Sequence, residues 1–296
     1  MHRDTRVAET GAPTTKSRSL TMKALARLFG NKKALLGSIM LLSVVVVAVF
    51  APVMAPYDPI KLNVGPLMAK PGPAHWLGTD NFGRDTFSRL IFGALISLEA
   101  AFVVMVCSVA LGMLVGLLSG YIGGALDYLV MRVVDMLFAF PWVLIALAVA
   151  AILGPGIKTV LISLVIAYSP ILVRLMRAVV LSIREQEYIL AARAIGQRDA
   201  VIALRHVLPN TLSPIIVQST SIMGFSILAE AAISYLGLGT RPPTASWGLS
   251  LSEGAAYLWM APHLVVFPGL AIAYLVMSFN FLGDGLRDIF DPRYQG

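Results

Sequence analysis

The chain of 296 residues is 57% hydrophobic and 13% charged, with a formal net charge of +7 at pH 7. Soluble domains carry roughly a quarter charged residues, so this composition argues against a soluble protein and predicts one embedded in a lipid bilayer. The basic residues cluster beside apolar segments, which indicates anionic lipid rather than nucleic acid as their partner. The single cysteine, Cys107, excludes a disulfide bond within the chain.

The first 33 residues are polar and basic, and we predict that they form a cytoplasmic N-terminal arm, residues 1–33. The apolar run that follows is longer than the roughly 7–15 residues at the core of a signal peptide. We therefore interpret this run as an uncleaved first membrane span. Residues 34–93 are predicted to comprise that span and an external loop.

Six apolar segments approach the length of about 20 residues that a helix needs to cross a bilayer. Pro141 lies inside the third segment and Pro170 inside the fourth, and we expect both prolines to kink their helices. Small residues recur at spacings of three and four in the second segment, which favours close contact between helices. The predicted spans lie near Ala34–Val53, Ala94–Ser119, Leu129–Leu153, Val160–Ser182, Leu212–Leu236 and Leu264–Leu282.

Lysine and arginine residues predict the orientation of the chain, because cytoplasmic loops carry an excess of them. They are concentrated in the N-terminal arm, in residues 184–210 between the fourth and fifth spans, and in the C-terminal tail, residues 287–296. If the arm is cytoplasmic, six spans return the loop and the tail to the same side. We predict that both termini and this loop are cytoplasmic.

The segment EYILAARAIGQRDAVIALRHVLPN, Glu187–Asn210, is a polar and basic interruption between two apolar segments. Its first part has the spacing of a helix with one face of small and apolar residues, and Gly196 stands where that helix should end. A second helical run, Ala200–Leu208, is expected to end at Pro209, which would fix the entry to the fifth span. We predict a short helix presented to a soluble partner protein. The predicted face consists of Tyr188, Ala191, Ala192 and Ile195.

This segment resembles the EAA loop of the membrane subunits of bacterial ABC importers. The family pattern is Glu-Ala-Ala, three residues, Gly, nine residues, Ile, one residue and Leu-Pro. Leu190 and His206 stand where the family has Glu and Ile, and Glu187, one turn earlier, is a candidate substitute for the acid. The residues in register are Ala191, Ala192, Gly196, Leu208 and Pro209.

Three further stretches narrow the resemblance. They are LGTDNFGRDTFSRL (Leu77–Leu90), AAISYLGLGTRPPTASWG (Ala231–Gly248) and FNFLGDGLRDIFDPR (Phe279–Arg293). In this order and at these places in the topology, they are similar to the dipeptide, oligopeptide and nickel permease family. Within that family the chain looks like the second, C-type subunit.

The resemblance implies an all-α integral membrane protein with six transmembrane helices and a cytoplasmic coupling-helix loop, the type I ABC importer permease fold. Residues 94–286 would form the core transmembrane permease domain, with the coupling loop at 184–210. Such a subunit lies in the bacterial cell membrane and pairs with a homologous permease subunit as a heterodimer. Two cytoplasmic ATPase subunits bind the pair, and an extracytoplasmic solute-binding protein delivers the substrate.

The resemblance also assigns contact with the ATPase to the loop. The sequence contains no Gly-x-x-x-x-Gly-Lys-Ser/Thr phosphate loop, so we expect a non-catalytic chain that binds no cofactor, with ATP and Mg²⁺ held by partner ATPase subunits. No metal-binding motif is present in the sequence either. The predicted coupling residues are Glu187, Leu190, Ala191, Ala192, Arg193, Gly196, Gln197, Arg198, Asp199, Leu208 and Pro209.

Two acidic residues, Glu99 and Glu230, lie towards the outer ends of the second and fifth spans. Charged residues inside spans often mark substrate pathways, and an anionic patch here would suit the amino group of a peptide. Hydrogen bonding between helices, or contact with water near the membrane interface, is the alternative.

Charged residues near the inner ends of the third and fourth spans are interpreted as structural. Arg132 and Asp135 are three residues apart and are expected to pair along one helix. Arg174 and Arg177 are expected to extend towards the lipid headgroups.

The sequence therefore predicts the membrane-spanning permease subunit of an ATP-driven importer, forming half of the pathway for di- or oligopeptides. An importer of nickel complexes or another small solute, with the same architecture, is an alternative. A secondary transporter driven by an ion gradient is an alternative of another class, which internal repeats and interrupted helices would favour. A membrane-bound enzyme or scaffold is disfavoured, because no catalytic constellation is visible.

Overall fold

The computed structural model describes residues 30–290. Within that range the regular structure is helical, apart from one isolated antiparallel bridge between Thr79 and Asp85. Most of the predicted N-terminal arm, residues 1–29, and the end of the predicted tail, residues 291–296, lie outside the described residues.

The α-helices of the described residues are α1 (Lys32–Val49), α2 (Ala51–Met54), α3 (Thr86–Ile122), α4 (Gly124–Phe138), α5 (Trp142–Leu153), α6 (Ile157–Arg184), α7 (Glu187–Ala194), α8 (Asp199–Ile202), α9 (Leu208–Tyr235), α10 (Trp247–Ala255) and α11 (His263–Phe290). Five stretches of helix are long and apolar enough to cross a membrane, and a bent pair, α4 and α5, makes a sixth if the pair counts as one span. The prediction of an all-α membrane protein is thus confirmed. The predicted domain boundaries after residues 93 and 286 fall inside α3 and α11.

The third predicted span is broken rather than kinked, because α4 and α5 meet at 91°. Proline disfavours the helical conformation in the residue before it and has no N–H to donate to the preceding turn. The helix therefore stops at Phe138 and restarts at Trp142, on either side of Pro141. The expectation of a simple kink at Pro141 is wrong. Pro170, by contrast, lies inside α6 without ending it.

Helices α3 and α6 pack closely through small residues. Gly112, Gly116 and Gly120 share one face of α3, because residues four apart lie above one another on a helix. A Cβ on Gly112 or Gly116 would collide with α6, and one on Gly120 would lie 3.0 Å from Val180, closer than an ordinary contact. The close contact predicted for the second span is confirmed. The facing side chains on α6 are Leu172, Met176 and Val180.

Helix α1 packs against α11 at Gly37 and Gly285, where an added Cβ would meet backbone atoms of the other helix. Asn31 caps α1 by accepting hydrogen bonds from two backbone N–H groups of its first turn. The Nζ atom of Lys33 lies 3.5 Å from Asp288 of α11. Because successive spans reverse direction, the start of α1, the end of α11 and residues 184–210 lie at one end of the bundle, which we call the loop end.

The opposite end is covered by segment 55–85 and α10, joined by a buried charged network. Arg84 donates to Asp80 at 2.5 Å and to Glu253 of α10 at 2.6 Å. Arg89 of α3 lies within 3.7 Å of the same two carboxylates and donates to the carbonyl of Pro59 at 3.0 Å. Buried charges need such partners, so the network holds the segment on the helices.

Candidate coupling site

Helix α7 ends where the sequence predicted. Its last residue is Ala194, and Gly196 follows with a φ of +79°, a conformation that glycine adopts without steric cost. Two hydrogen bonds close the end: Gln197 N–H donates to the Ala192 carbonyl at 3.1 Å, and Gly196 N–H to the Arg193 carbonyl at 2.9 Å. This is a Schellman motif, which satisfies carbonyls that a helix end leaves free.

The face of α7 that was predicted to meet a partner is exposed at three of its four residues: Tyr188, Ala191 and Ile195 are exposed, and Ala192 is buried. Ile189 and Ala192, three residues apart, are the buried residues of this helix, and they pack in one core cluster with Ile202 and Val207. Successive residues on a helix point about 100° apart, so Ala191 faces outward while Ala192 faces the bundle. The placement of Ala192 on the partner-facing side is therefore wrong.

Pro209 does not end the second helical run. Helix α8 continues through a π-helical turn, Ala203–Val207, into α9, so that Asp199–Tyr235 forms one 37-residue stretch. Proline lacks an N–H, and its ring clashes with the carbonyl four residues earlier. The wider π turn, in which Leu208 N–H donates to the Ala203 carbonyl, accommodates the proline without breaking the helix.

The outer surface of the loop carries exposed apolar side chains between charged ones. Ile195 is 83% exposed and Leu190 49% exposed, although neither lies in a membrane span. Large apolar side chains that are exposed to solvent close together, as Leu190 and Ile195 are, indicate a surface that a partner protein covers. Leu190, the position at which the chain departs from the family's Glu, therefore faces outward. The charged and polar neighbours are Glu187, Arg193, Gln197, Arg198 and Asp199.

The loop is tied to the last turn of α3. The Tyr121 hydroxyl donates to Asp199 Oδ1 at 2.8 Å, and the Arg193 guanidinium lies 5.5 Å from the centre of the Tyr121 ring. The Tyr121 hydroxyl and the Asp199 carboxylate raise the pKa of Arg193, so this side chain stays charged. Sequence reasoning missed Tyr121, because nothing in its local pattern shows that it meets a residue 78 positions later.

A second tie joins α6 to α3 at the same end. Arg184, the last residue of α6, donates from Nη1 to the Gly120 carbonyl at 3.0 Å. Since α7 begins three residues later and packs its buried face on the same core cluster as α6, a force on the loop reaches both helices. The geometry therefore suits mechanical coupling between an external partner and the bundle.

The structure does not bring the two predicted pathway acids into one patch. Glu99 is exposed on α3, whereas Glu230 is fully buried. The Glu230 carboxylate accepts a hydrogen bond from Ser234 at 2.8 Å and another from Thr240 at 3.5 Å, so it contacts no open surface in this conformation. The alternative weighed from sequence, hydrogen bonding between helices, does not describe Glu230 either, because Ser234 lies on the same helix, α9, and Thr240 lies in the loop that follows it. A pathway role for Glu99 stays a prediction.

Charged residues of α4 and α6 pair between these two helices rather than as expected. Arg177 of α6 donates two hydrogen bonds to Asp127 of α4, at 2.5 and 2.6 Å, and Arg174 donates to Asp135 at 2.6 Å. The extension of both arginines to the headgroups and the pairing of Arg132 with Asp135 are therefore wrong. Arg132 instead stacks on its own helix, 5.0 Å from the ring centre of Tyr128.

Comparison with known families matches residues 112–296 to the binding-protein-dependent transport system inner membrane component. The match includes the whole loop and spans well over half of the chain. The protein belongs to this family. Residues 19–71 also match the N-terminal transmembrane domain of oligopeptide transport permease C, which agrees with the predicted C-type subunit.

Curated relatives of this permease cover nearly its whole length. The dipeptide transport system permease protein DppC of Alkalihalophilus pseudofirmus is 42% identical over 92% of this chain and 89% of its own. The glutathione transport system permease protein GsiD of Escherichia coli is 46% identical over 89% of this chain and 87% of its own. The chain is thus a permease subunit of an ABC importer, a multi-pass inner-membrane protein, and the secondary-transporter alternative is excluded.

The permease fold is also seen in a solved transporter. A chain of the MetNI methionine ABC transporter, in an inward-facing form, aligns with a TM-score of 0.57 and 19% identity. The alignment covers 69% of this chain and 97% of the other. At this identity the likeness concerns the fold alone, and it supports the predicted type I permease architecture.

Proposed function

We propose that this permease subunit forms half of a pathway that imports short peptides, with a homologous permease subunit as the other half. The observation that carries the proposal is identity of 42% to a permease named for dipeptides and 46% to one named for glutathione, each over about nine-tenths of the chain. Glutathione is itself a small peptide, so the two names describe one class of solute.

ATP hydrolysis, in this proposal, takes place in two partner ATPase subunits that hold ATP and Mg²⁺ and dock on the loop. The exposed apolar residues Leu190 and Ile195 supply the contact with the ATPase subunits. The hydrogen bond from Tyr121 of α3 to Asp199 of the loop, and the one from Arg184 of α6 to Gly120 of α3, transmit the movement of the loop to the spans. A solute-binding protein delivers the peptide at the opposite end. The chain itself performs no chemistry on either molecule.

The loop end is cytoplasmic in this proposal, and so are both termini. The distribution of lysine and arginine supports this orientation, because the N-terminal arm and the loop are rich in both. ATP is available on that side, so the ATPase subunits must meet the loop there.

The test is uptake by the complete transporter in proteoliposomes, with its solute-binding protein outside and ATP inside. We expect ATP-dependent accumulation of radiolabelled dipeptides, and none without ATP or without the binding protein. If a non-peptide solute is imported and dipeptides and glutathione are not, the peptide assignment is wrong. The co-purification of two nucleotide-binding chains with this subunit tests the partner assignment separately.

A further inference from the structure

An ion pair within the membrane-spanning helices is open to its surroundings. Arg174 donates to Asp135 at 2.6 Å, yet the two side chains are 50% and 60% exposed. The neighbouring pair, Arg177 and Asp127, is only 29% and 18% exposed. Both pairs join α6 to α4, so shielding by the protein, rather than pairing, distinguishes them.

The exposed pair lies at the depth of the hydrocarbon. Helix α6 has 28 residues and is about 42 Å long at 1.5 Å per residue, against a hydrocarbon thickness of about 30 Å. If the helix is centred, Arg174 lies about 10 Å inside the hydrocarbon boundary. Its guanidinium also stacks 4.1 Å from the ring centre of Phe138, so it does not extend towards the headgroups. Charged groups inside a membrane face protein or water rather than lipid, so this pair should not be in contact with lipid.

The backbone beside the pair is irregular. Helix α4 ends at Phe138 and α5 begins at Trp142, and the two axes differ by 91°. Non-helical backbone at membrane depth is tolerated only where protein or a water-filled cavity covers it. Phe140, in the break, is 62% exposed, and the rings of Phe138 and Trp142 are also accessible.

The positions of the two aspartates on α4 explain why one pair is shielded and the other open. Asp127 lies in the first turn of α4 and also accepts a hydrogen bond from Ser119 of α3 at 2.5 Å, so it contacts both α3 and α6. Asp135 lies three residues before α4 ends at Phe138, beside the break.

We propose that Asp135, Phe138, Phe140, Trp142 and Arg174, which we call the elbow surface, line the substrate pathway and bind a short zwitterionic peptide. This inference rests on the proposed function. Asp135 accepts hydrogen bonds from the terminal ammonium group of the peptide, and Arg174 donates to its terminal carboxylate. The aromatic rings contact the apolar side chains of the peptide. With no peptide present, Asp135 and Arg174 neutralise each other.

The first test is accessibility. A Phe140→Cys variant in a Cys107→Ser chain is assembled as the complete transporter in opened membrane vesicles and treated with a charged thiol reagent. We expect rapid labelling, slowed by a saturating dipeptide. The control, Leu42→Cys, stands midway along α1 on an exposed apolar face and should resist. If Phe140→Cys resists labelling as Leu42→Cys does, lipid or the second permease subunit covers the elbow surface, and the proposal fails.

The second test uses peptides with blocked ends. Asp135→Asn should raise the KM for a free dipeptide about tenfold or more, and should raise the KM for the N-acetylated dipeptide much less. Arg174→Gln should likewise raise the KM for a dipeptide with a free carboxyl end much more than the KM for the same dipeptide with an amidated carboxyl end. Arg132→Gln, which removes a charge on the same helix outside the elbow surface, should leave the KM unchanged. Equal losses for free and blocked peptides would show that the pair only ties α4 to α6. If the unmodified transporter imports no peptide, the proposed function fails, and the labelling of Phe140→Cys still decides whether the surface is open.

Discussion

The Tyr121 hydroxyl, in the last turn of α3, donates a hydrogen bond of 2.8 Å to the Asp199 carboxylate, in the first turn of α8. This contact joins a membrane span to the coupling loop across 78 residues of sequence. A partner that pulls on the loop therefore pulls on α3 directly, without first moving α9. The efficiency of coupling should depend on this hydroxyl.

We predict that Tyr121→Phe lowers the amount of peptide imported per ATP hydrolysed by a few fold, because a hydrogen bond of this kind contributes about 1 kcal/mol. The ratio of uptake to ATP hydrolysis in proteoliposomes measures the effect. Tyr274→Phe is the matched control, since it removes a hydroxyl contact of 3.1 Å with Ser43 between α1 and α11, away from the loop. An unchanged ratio in Tyr121→Phe would exclude a coupling role for the contact.

Two neighbouring alanines should respond differently to the same change. Ala191→Asp adds bulk as well as a charge at a small residue on the exposed face of α7, where the partner is expected to approach closely, so the protein should remain folded in the membrane while the ATPase subunits dissociate. Ala192→Asp buries an unpaired carboxylate beside Ile189, at a cost of several kcal/mol, and should lower the amount of folded chain. Size-exclusion profiles in detergent and ATPase co-purification separate the two outcomes. If both variants fold and only Ala192→Asp loses the ATPase, the faces have been assigned the wrong way round.

Leu190→Glu restores the acid of the family pattern at an exposed position. A charge at a half-exposed interface shifts the binding free energy by only ~1 kcal/mol, so we expect Leu190→Glu to retain the ATPase subunits. Leu190→Met should bind them almost as the unmodified chain does. Retention by the detergent-solubilised complex across a salt series is the measurement. A large loss that does not vary with salt would show that the position is buried against an apolar surface of the partner.

The orientation can be tested with single cysteines in a Cys107→Ala chain. Arg198 lies in the loop and Thr244 at the opposite end, and both are exposed. An impermeant thiol reagent added to intact cells should label Thr244→Cys but not Arg198→Cys, and inside-out vesicles should give the reverse. Labelling of both from outside would contradict the proposed topology.

Arg89 should be essential for stability at the end opposite the loop. Its side chain is 3% exposed and pairs with Asp80 and Glu253, so Arg89→Ala leaves the buried Asp80 and the partly buried Glu253 with only Arg84 to neutralise them. Breaking a buried ion pair costs about 3–5 kcal/mol, and thermal unfolding of the purified protein should move to a clearly lower temperature. Arg241→Ala, at an exposed position, should unfold like the unmodified protein.

The sequence alone determined the class of the protein and the place of its coupling loop. Apolar runs of about 20 residues are forced into helices, because lipid offers no partner for backbone hydrogen bonds. Gly196 marked the end of α7 because a local backbone conformation required it, and Gly112, Gly116 and Gly120 marked a contact face because helix periodicity aligns them. Such features depend on a few neighbouring residues, so they are readable from local pattern.

Only the tertiary structure decided which side of α7 faces the bundle, since both sides carry alanine and apolar residues and the core beneath selects Ile189 and Ala192. It also decided that Pro209 lies within a continuous helix and that Pro141 divides one, because the outcome depends on whether neighbouring turns can rearrange around the missing N–H. The pairing of Arg174 with Asp135 and of Tyr121 with Asp199 required the fold as well. Charge and spacing indicate which residues are candidates for such contacts. Which of them meet depends on how the helices pack, because the partners are far apart in the chain.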